Sequence, residues 1–221
     1  MKLQDIKQQV FSELEPFATS NGFRMLKGRF ALIRKQKDRI DEILFLTNSW
    51  GFEVHIFPQV SVDFNEIRTI CNKCGFHLNF SAFINLRLLE EIKRHGFHDD
   101  LPWQMQVTNT DRFILTDDNL DYNLLNKKIS SLMSLALDFL AKYSSISAID
   151  SLFNTKPLER YCPYRSGLDT HCMIGIIAAK LSNNSEYEEI KQMYQNIVMQ
   201  EDFLEKTKDS FYQVIDYLDQ L

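Results

Sequence analysis

The chain has 221 residues, of which 44% are hydrophobic, and a formal net charge of −5. This composition argues for a folded chain, because 17 Phe and 8 Tyr residues can form a sizeable core. The length fits one compact domain or two lobes. No apolar run reaches the roughly 18 residues that cross a membrane, and charges interrupt the N-terminal segment where a signal peptide would be apolar. We therefore expect a cytoplasmic protein without membrane association, in which the four cysteines stay reduced.

The N-terminal segment has the pattern of a helix. Its apolar residues recur at spacings of three and four, which place side chains on one helix face: Leu3, Ile6, Val10, Leu14 and Phe17. Asn21 and Gly22 follow, and such a pair is typical of a helix end. We expect a helix of about five turns at the start of the chain.

The next three segments have the pattern of antiparallel strands, with turns at Lys27-Gly28 and Trp50-Gly51. Residues 52–63 show it most clearly, because apolar and polar residues alternate there. The apolar set is Phe52, Val54, Ile56, Val60 and Val62, and the polar set is Glu53, His55, Gln59 and Ser61. This alternation predicts a half-buried strand in a meander of three or four strands. Residues 103–107 and 112–116 predict one or two more strands.

Two shorter helices are predicted after the meander. Asp63 stands three residues before Glu66, which is the spacing of a capping box, and a helix over residues 64–74 follows. Residues 84–96 predict a second helix.

From residue 119 onward the pattern is helical. Four apolar stripes at helical spacing predict four helices. The stripes are Leu125, Ile129, Leu132, Ala136 and Phe139, then Ile176, Ile177 and Leu181, then Tyr187, Ile190, Tyr194 and Ile197, and finally Phe211, Val214, Ile215 and Leu218. Ser185 and Glu188 have the spacing of a capping box at the start of the third stripe.

These elements predict an α+β fold, in which an N-terminal helix and an antiparallel β meander precede a helical C-terminal half. The sheet-bearing part would span residues 1–118 and the helical part residues 119–221. We expect the two parts to pack together as one unit.

Charge is distributed unevenly along the chain. Residues 24–39 hold seven Arg or Lys residues and one Asp, whereas residues 186–221 hold nine Asp or Glu residues and three Lys residues. The basic segment suggests nucleic-acid binding. However, its cations are interspersed with apolar residues, as in strands whose polar face meets water. We therefore favour a solvated strand face and keep nucleic-acid binding as a minor alternative.

The segment CNKCGFH, residues 71–77, contains the candidate metal ligands Cys71, Cys74 and His77. On a helix the two cysteines would share one face, and His77 follows closely. A zinc site would need a fourth ligand, which no finger-like spacing supplies, and a reactive thiolate would prefer the opposite end of the helix. We expect packed cysteines and no cofactor, with zinc at these three residues as the alternative.

A second group of candidate ligands lies in KRHGFHDD, residues 93–100. His95 and the cations before it fit the end of a helix before Gly96, where positive charge interacts favourably with the helix dipole. His98 and the two aspartates after it fit a surface loop. A metal site or a general base at His95 and His98 is the alternative.

The stretch LERYCPYRSGLDTHC, residues 158–172, is the irregular segment of the helical half. It contains the predicted partner-binding residues Arg160, Tyr161, Tyr164 and Arg165, because Tyr and Arg are enriched where proteins bind each other. A connecting loop whose tyrosines fold back onto the core is the commoner explanation of such a stretch.

The sequence lacks the motifs from which the main enzyme classes are recognised. It has no phosphate-binding glycine loop, no G-x-S-x-G elbow, no H-E-x-x-H and no glycine-rich dinucleotide fingerprint. We therefore predict a non-enzymatic module that binds another protein and has no catalytic residues. The alternative is a metal-dependent hydrolase that uses the cysteines and histidines named above.

Four segments of the chain carry a family resemblance: residues 22–50, 51–64, 137–153 and 174–198. With Gly22, Phe23, Phe30, Arg34, Lys35 and Trp50 at the matching places, they resemble an uncharacterised bacterial family known only as a domain of unknown function. Some members are thought to be immunity-type proteins encoded near polymorphic toxins. The resemblance implies a cytoplasmic inhibitor of one protein partner, and it brings no catalytic residues. An acidic C-terminal region would attract a basic toxin such as a nuclease.

Overall fold

The computed structural model of the protein describes residues 3–95, 112–155, 164 and 167–221. Its helices are α1 (Leu3–Ser20), α2 (Asn65–Lys73), α3 (Leu86–His95), α4 (Tyr122–Lys142), α5 (Ile146–Asn154), α6 (Leu168–Leu181), α7 (Tyr187–Gln200) and α8 (Glu205–Leu218). Its strands are β1 (Arg24–Leu26), β2 (Ala31–Lys35), β3 (Arg39–Trp50), β4 (Glu53–Phe64), β5 (Ala82–Asn85) and β6 (Phe113–Leu115). None of these helices alone is long and apolar enough to cross a membrane, and only α4 and α5 taken together meet that test.

Helix α1 confirms the predicted N-terminal helix. Its buried face consists of Ile6, Val10, Phe11, Leu14 and Ala18. The helix ends after Ser20 because Gly22 adopts a φ of +71°, which glycine tolerates better than other residues. The backbone N–H of Phe23 then donates to the carbonyl of Ala18 at 2.8 Å, so the chain turns back toward the sheet.

The six strands form an antiparallel sheet in the order β1-β2-β3-β4-β5, and β6 pairs with β4. The first four strands are neighbours in chain order, which confirms the predicted meander and the α+β class. Strand β6 lies in the predicted segment 112–116, whereas residues 103–107 lie outside the described residues.

Strand β5 was not predicted, because residues 84 and 85 continue the apolar pattern of the helix after them. The helix begins only at Leu86. The side chain of Asn85 accepts hydrogen bonds from the backbone N–H groups of Arg87 at 2.9 Å and Leu88 at 3.2 Å, so Asn85 caps α3 instead of entering it.

The capping box predicted for Asp63 and Glu66 is wrong. Strand β4 continues through Phe64, whose N–H donates to the hydroxyl of Ser81 at 2.9 Å. Asp63 is therefore a strand residue, and its buried carboxylate pairs with Arg68 one turn into α2. No side chain caps α2.

The second predicted capping box, at Ser185 and Glu188, is also wrong. The residue that organises the start of α7 is Asn184, whose side-chain oxygen accepts a hydrogen bond from the N–H of Glu186 at 2.9 Å. Asn184 reaches this position because Asn183 adopts a left-handed backbone with a φ of +55° at the end of the preceding turn.

The chain divides into two compact units, and each unit is built from two segments. Unit 1 comprises Met1–Ser61 and Ile84–Ala141, and unit 2 comprises Val62–Phe83 and Lys142–Leu221. The sequence predicted a different division, into residues 1–118 and residues 119–221, and that division stays a prediction.

A row of aromatic rings fills the core of unit 1. The ring of Phe30 lies 5.0 Å from that of Phe11 in α1 and 5.1 Å from that of Phe45 in β3. Phe30 adopts a left-handed φ of +55°, which is unusual for a bulky residue. Its ring is only 1% exposed, so burial between α1 and the sheet holds this conformation in place.

The same unit contains a buried carboxylate between two arginines. Asp41 is fully buried and accepts hydrogen bonds from Arg34 at 2.8 and 2.9 Å and from Arg39 at 2.8 Å. Arg34 also donates to the carbonyl of Asn21 just after α1, and Arg39 donates to the carbonyl of Leu140 in the last turn of α4. One carboxylate thus ties β2 and β3 to the C-terminal ends of two helices.

Unit 2 also has a buried carboxylate, but neutral donors surround it. Asp150 in α5 accepts hydrogen bonds from Asn154 at 2.6 Å, from Ser182 at 2.8 Å and from Asn184 at 2.9 Å. The hydroxyl of the fully buried Tyr194 donates to the side-chain oxygen of Asn154 at 2.7 Å. This network links α5 and α7 to the turn between α6 and α7.

We predict that Asp41→Ala lowers the free energy of unfolding by about 3–5 kcal/mol, because it leaves the buried guanidinium of Arg39 without its carboxylate. Urea unfolding followed by circular dichroism measures the change. The control is Asp138→Ala, which removes an exposed ion pair with Lys93 and should cost less than about 1 kcal/mol. Equal losses for the two variants would contradict the central role of Asp41.

We predict that Gly175→Ala destabilises unit 2. An added Cβ would lie 2.7 Å from Cζ of Tyr194, whose ring is held by its hydrogen bond to Asn154. Overpacking of this kind costs about 1–3 kcal/mol. Gly28→Ala is a matched control, because a Cβ there meets nothing within 4 Å. Thermal unfolding of both variants tests the prediction, and an unchanged Tm for Gly175→Ala would contradict it.

Candidate binding surface

The turn between β3 and β4 carries two exposed aromatic side chains. The turn consists of Gly51 and Phe52, and Gly51 has a φ of +61° while Phe52 does not have a positive φ. This is the pattern of a two-residue hairpin with glycine at its first central position. Trp50 before the glycine is 63% exposed, and Phe52 after it is 74% exposed.

A row of rings supports Trp50 on one face of the sheet. The ring of Trp50 lies 5.1 Å from that of His55, and the ring of His55 lies 6.4 Å from that of Phe57. The guanidinium of Arg112 is 4.8 Å from the centre of the Phe57 ring. We refer to Trp50, Phe52, His55 and Phe57 as the hairpin surface.

His55 is the buried member of this row and contacts the rings on both sides of it. Its side chain is 4% exposed, and its Nε2 lies 2.9 Å from a carboxylate oxygen of Glu53. The sequence pattern predicted His55 on a solvated face and Phe52 on a buried face. Both expectations are wrong, because strand β6 pairs alongside His55, whereas Phe52 lies at the tip of the hairpin beyond the reach of the core.

The cysteines of residues 71–77 are packed, as the sequence favoured. Cys71 is fully buried and Cys74 is 4% exposed, and neither is in a disulfide. The carbonyl of Cys71 accepts a hydrogen bond from the N–H of Phe76 at 2.9 Å, and Gly75 has a φ of +74°. These features close α2 with a left-handed glycine, so the segment has a local structural role.

The structure does not bring Cys71, Cys74 and His77 together as a metal site. His77 is exposed, in contrast to the two buried thiols. Among residues 3–95, 112–155, 164 and 167–221, no group of three His, Cys, Asp or Glu side chains could hold a metal ion. His98 and the aspartates after it lie outside the described residues, and so does the side chain of His95.

The pKa values of both thiols are raised, so the reactive thiolate form is disfavoured at Cys71 and Cys74. Burial, with smaller contributions from the neighbouring Cys74 and Asp63, raises the pKa of Cys71 from about 9 to about 12. Burial also raises the pKa of Cys74, against a smaller opposing effect of Lys73. The sequence attributed a disfavoured thiolate to the helix end, whereas the larger cause is desolvation.

Most cations of the basic segment 24–39 are exposed, as the sequence favoured, and three of the seven pair with carboxylates of β3. Arg34 and Arg39 hold Asp41, and Arg29 pairs with Glu42 at 3.1 Å. Burial raises the pKa of the Glu42 carboxyl, and Arg29 partly opposes that rise. Arg39 is buried and Arg34 is half-buried, so these two cations depart from the predicted solvated face, whereas Arg29 remains exposed.

Of the four predicted partner-binding residues, the structure describes Tyr164. Its carbonyl accepts a hydrogen bond from the N–H of Phe83 at 3.3 Å, and its ring lies 5.6 Å from the ring of the buried Tyr143. The Tyr164 ring thus packs within unit 2, as the commoner explanation of a connecting loop expected, and its predicted role in partner binding stays a prediction. Arg160, Tyr161 and Arg165 lie outside the described residues, and their role stays a prediction.

Comparison of the chain with protein-family models, with curated proteins and with solved structures found no match. The resemblance carried by Gly22, Phe23 and Trp50 therefore stays a prediction. The sequence did contain a signal for the hairpin surface, namely a glycine turn flanked on both sides by large aromatic residues.

We predict that Cys71 makes the protein sensitive to alkaline pH. Between about pH 9 and 12 the thiol ionises in the unfolded chain but stays neutral in the folded one, so stability is lost as pH rises through this range. In Cys71→Ala the free energy of unfolding should fall less steeply there, by up to about 1.4 kcal/mol per pH unit.

Urea unfolding at intervals from pH 7 to 11 measures both slopes. The two proteins should respond in parallel below pH 8, which serves as the internal control. Parallel responses above pH 9 as well would show that Cys71 is not the buried neutral thiol described above.

Proposed function

We propose that this protein is a non-enzymatic, cytoplasmic module that binds a partner protein through the hairpin surface. The observation that carries the proposal is the exposure of Trp50 and Phe52 on either side of Gly51 at the tip of the hairpin. Trp is the residue type most enriched among the side chains that dominate protein–protein binding energies.

Exposed aromatic rings are energetically costly in water. A Trp or Phe side chain buries roughly 150–250 Å² when it is enclosed, and each Å² of apolar area contributes about 25 cal/mol. Trp50 and Phe52 leave most of this area in water. A partner that covers them would therefore gain several kcal/mol in total before the costs of association.

The order of the hairpin favours binding for a second reason. The Trp50 ring packs at a tilt against His55, which is buried and bonded to Glu53, so the Trp50 ring is supported before any partner arrives. A side chain that is already positioned loses less conformational entropy on binding. Trp50 therefore has the properties of an anchor residue.

We further propose an inhibitor of the immunity type, which is the function implied by the family resemblance. The charge distribution supports a basic partner, because residues 186–221 carry nine acidic residues against three lysines. All nine are exposed: Glu186, Glu188, Glu189, Glu201, Asp202, Glu205, Asp209, Asp216 and Asp219. Such a surface raises the association rate of a basic protein more than its final affinity. Arg160, Tyr161, Tyr164 and Arg165 remain candidate secondary contacts.

The test is affinity capture from a nuclease-treated lysate of the source cell, with wild-type protein and a Trp50→Ala/Phe52→Ala variant as parallel baits. We expect the wild type to retain one protein in stoichiometric amount and the variant to bind it at least about 30-fold more weakly, because truncated anchor residues cost about 2 kcal/mol or more. The variant should fold normally, since both side chains are exposed.

The matched control is Met199→Ala/Leu204→Ala, which removes two apolar side chains of similar exposure from unit 2, at 69% and 79%. This control should retain the partner as the wild type does. Equal retention by the hairpin variant and the wild type would remove the hairpin surface from the proposal. Loss of the partner only in the control would move the binding site to unit 2.

A further inference from the structure

A groove lies between helix α1 and strand β1 within unit 1. Its volume is about 260 Å³, and Phe11 from the helix and Met25 from the strand form its apolar part. The volume is below the roughly 300–1,000 Å³ of sites that enclose a drug-sized ligand or cofactor. The groove therefore has room for one or two side chains of a longer ligand.

Strand β1 is at the end of the sheet order. It pairs with β2 on one side, where Met25 lies opposite Leu32, and no other described strand pairs with it. Met25 and Lys27 both line the groove, so the groove follows the course of this edge strand. An extended peptide can add to an open edge by main-chain hydrogen bonds while its alternate side chains enter neighbouring pockets.

Two lysines and one carboxylate line the groove. Lys7 from α1 and Lys27 from the turn after β1 both line it, and Lys7 also lies over the ring of Phe30 at 5.5 Å. The one carboxylate among the lining residues, Glu15, is eight residues from Lys7, which corresponds to about 12 Å along the helix. A ligand that places a carboxylate near the two lysines and an apolar group over Phe11 and Met25 would match this pattern.

We propose that this groove binds an extended acidic peptide, which adds to the sheet as a further strand beside β1. An apolar side chain of the peptide packs on Phe11 and Met25, and an acidic side chain next to it along the same face binds Lys7 and Lys27. The peptide backbone completes the hydrogen bonding of the β1 edge. This second binding site is separate from the hairpin surface and does not rest on the proposed function.

The test uses the fluorescein-labelled heptapeptide Thr-Glu-Thr-Val-Thr-Glu-Thr, titrated with the full chain at low salt. Its valine and acidic residues are two apart, so they share one face of an extended strand. We expect saturable binding that weakens with added salt, because screening reduces the attraction to the lysines. A heptapeptide with lysine in place of each acidic residue should not bind. Hydrogen exchange should show new protection of backbone amides in residues 24–26 when the acidic peptide is bound.

Three variants and one modified peptide make the test specific. Lys7→Glu/Lys27→Glu should weaken binding at least tenfold, and Lys27→Glu alone should show part of that loss, whereas Lys127→Glu in α4 should have no effect. A peptide with the same side chains but N-methylated at alternate residues should bind at least tenfold more weakly, because it cannot donate to the strand. Equal binding by the N-methylated peptide, or by the double lysine variant, would overturn the proposal. Absence of binding by the acidic peptide, or of protection in β1, would do so as well.

Discussion

The buried carboxylate of Asp41 is the constraint on which unit 1 depends. A fully buried charge is costly unless it is paired, and here two guanidinium groups pair with it at 2.8–2.9 Å. Because Arg34 and Arg39 also bond the carbonyls of Asn21 and Leu140, the same charge determines where α1 and α4 end relative to the sheet. Two of the seven cations in residues 24–39, Arg34 and Arg39, therefore stabilise the fold.

Among the described residues of unit 1, the large hydrophobic side chains with the greatest exposure are Trp50 and Phe52 of the hairpin between β3 and β4. Val54 and Ile56 of β4 are buried, so the strand is anchored, yet Trp50 and Phe52 extend beyond the core. Truncating the exposed rings of Trp50 and Phe52 would lower the free energy of unfolding little. A partner that covers the two rings would gain binding free energy from each of them. The exposure of Trp50 and Phe52 therefore supports our proposal that this hairpin serves binding.

The sequence predicted those elements whose signal is local. Helix α1 and the helical stripes of the C-terminal half follow from apolar spacing alone, and the strands of the meander from alternation and turn residues. It could not predict that Arg34 and Arg39 share Asp41, since such pairing depends on which strands become neighbours. For the same reason it placed His55 in water and Phe52 in the core, because alternation identifies two faces of a strand without saying what covers each one.

The central claim, that Trp50 contacts a partner protein, can be tested most directly by photo-crosslinking in the living source cell. A benzophenone amino acid replaces Trp50 in one strain and the exposed Leu124 of α4 in another. The account predicts one discrete crosslinked product, containing a single second protein, on irradiation of the first strain and none in the second. Absence of a product at position 50, or the same products at both positions, would contradict it.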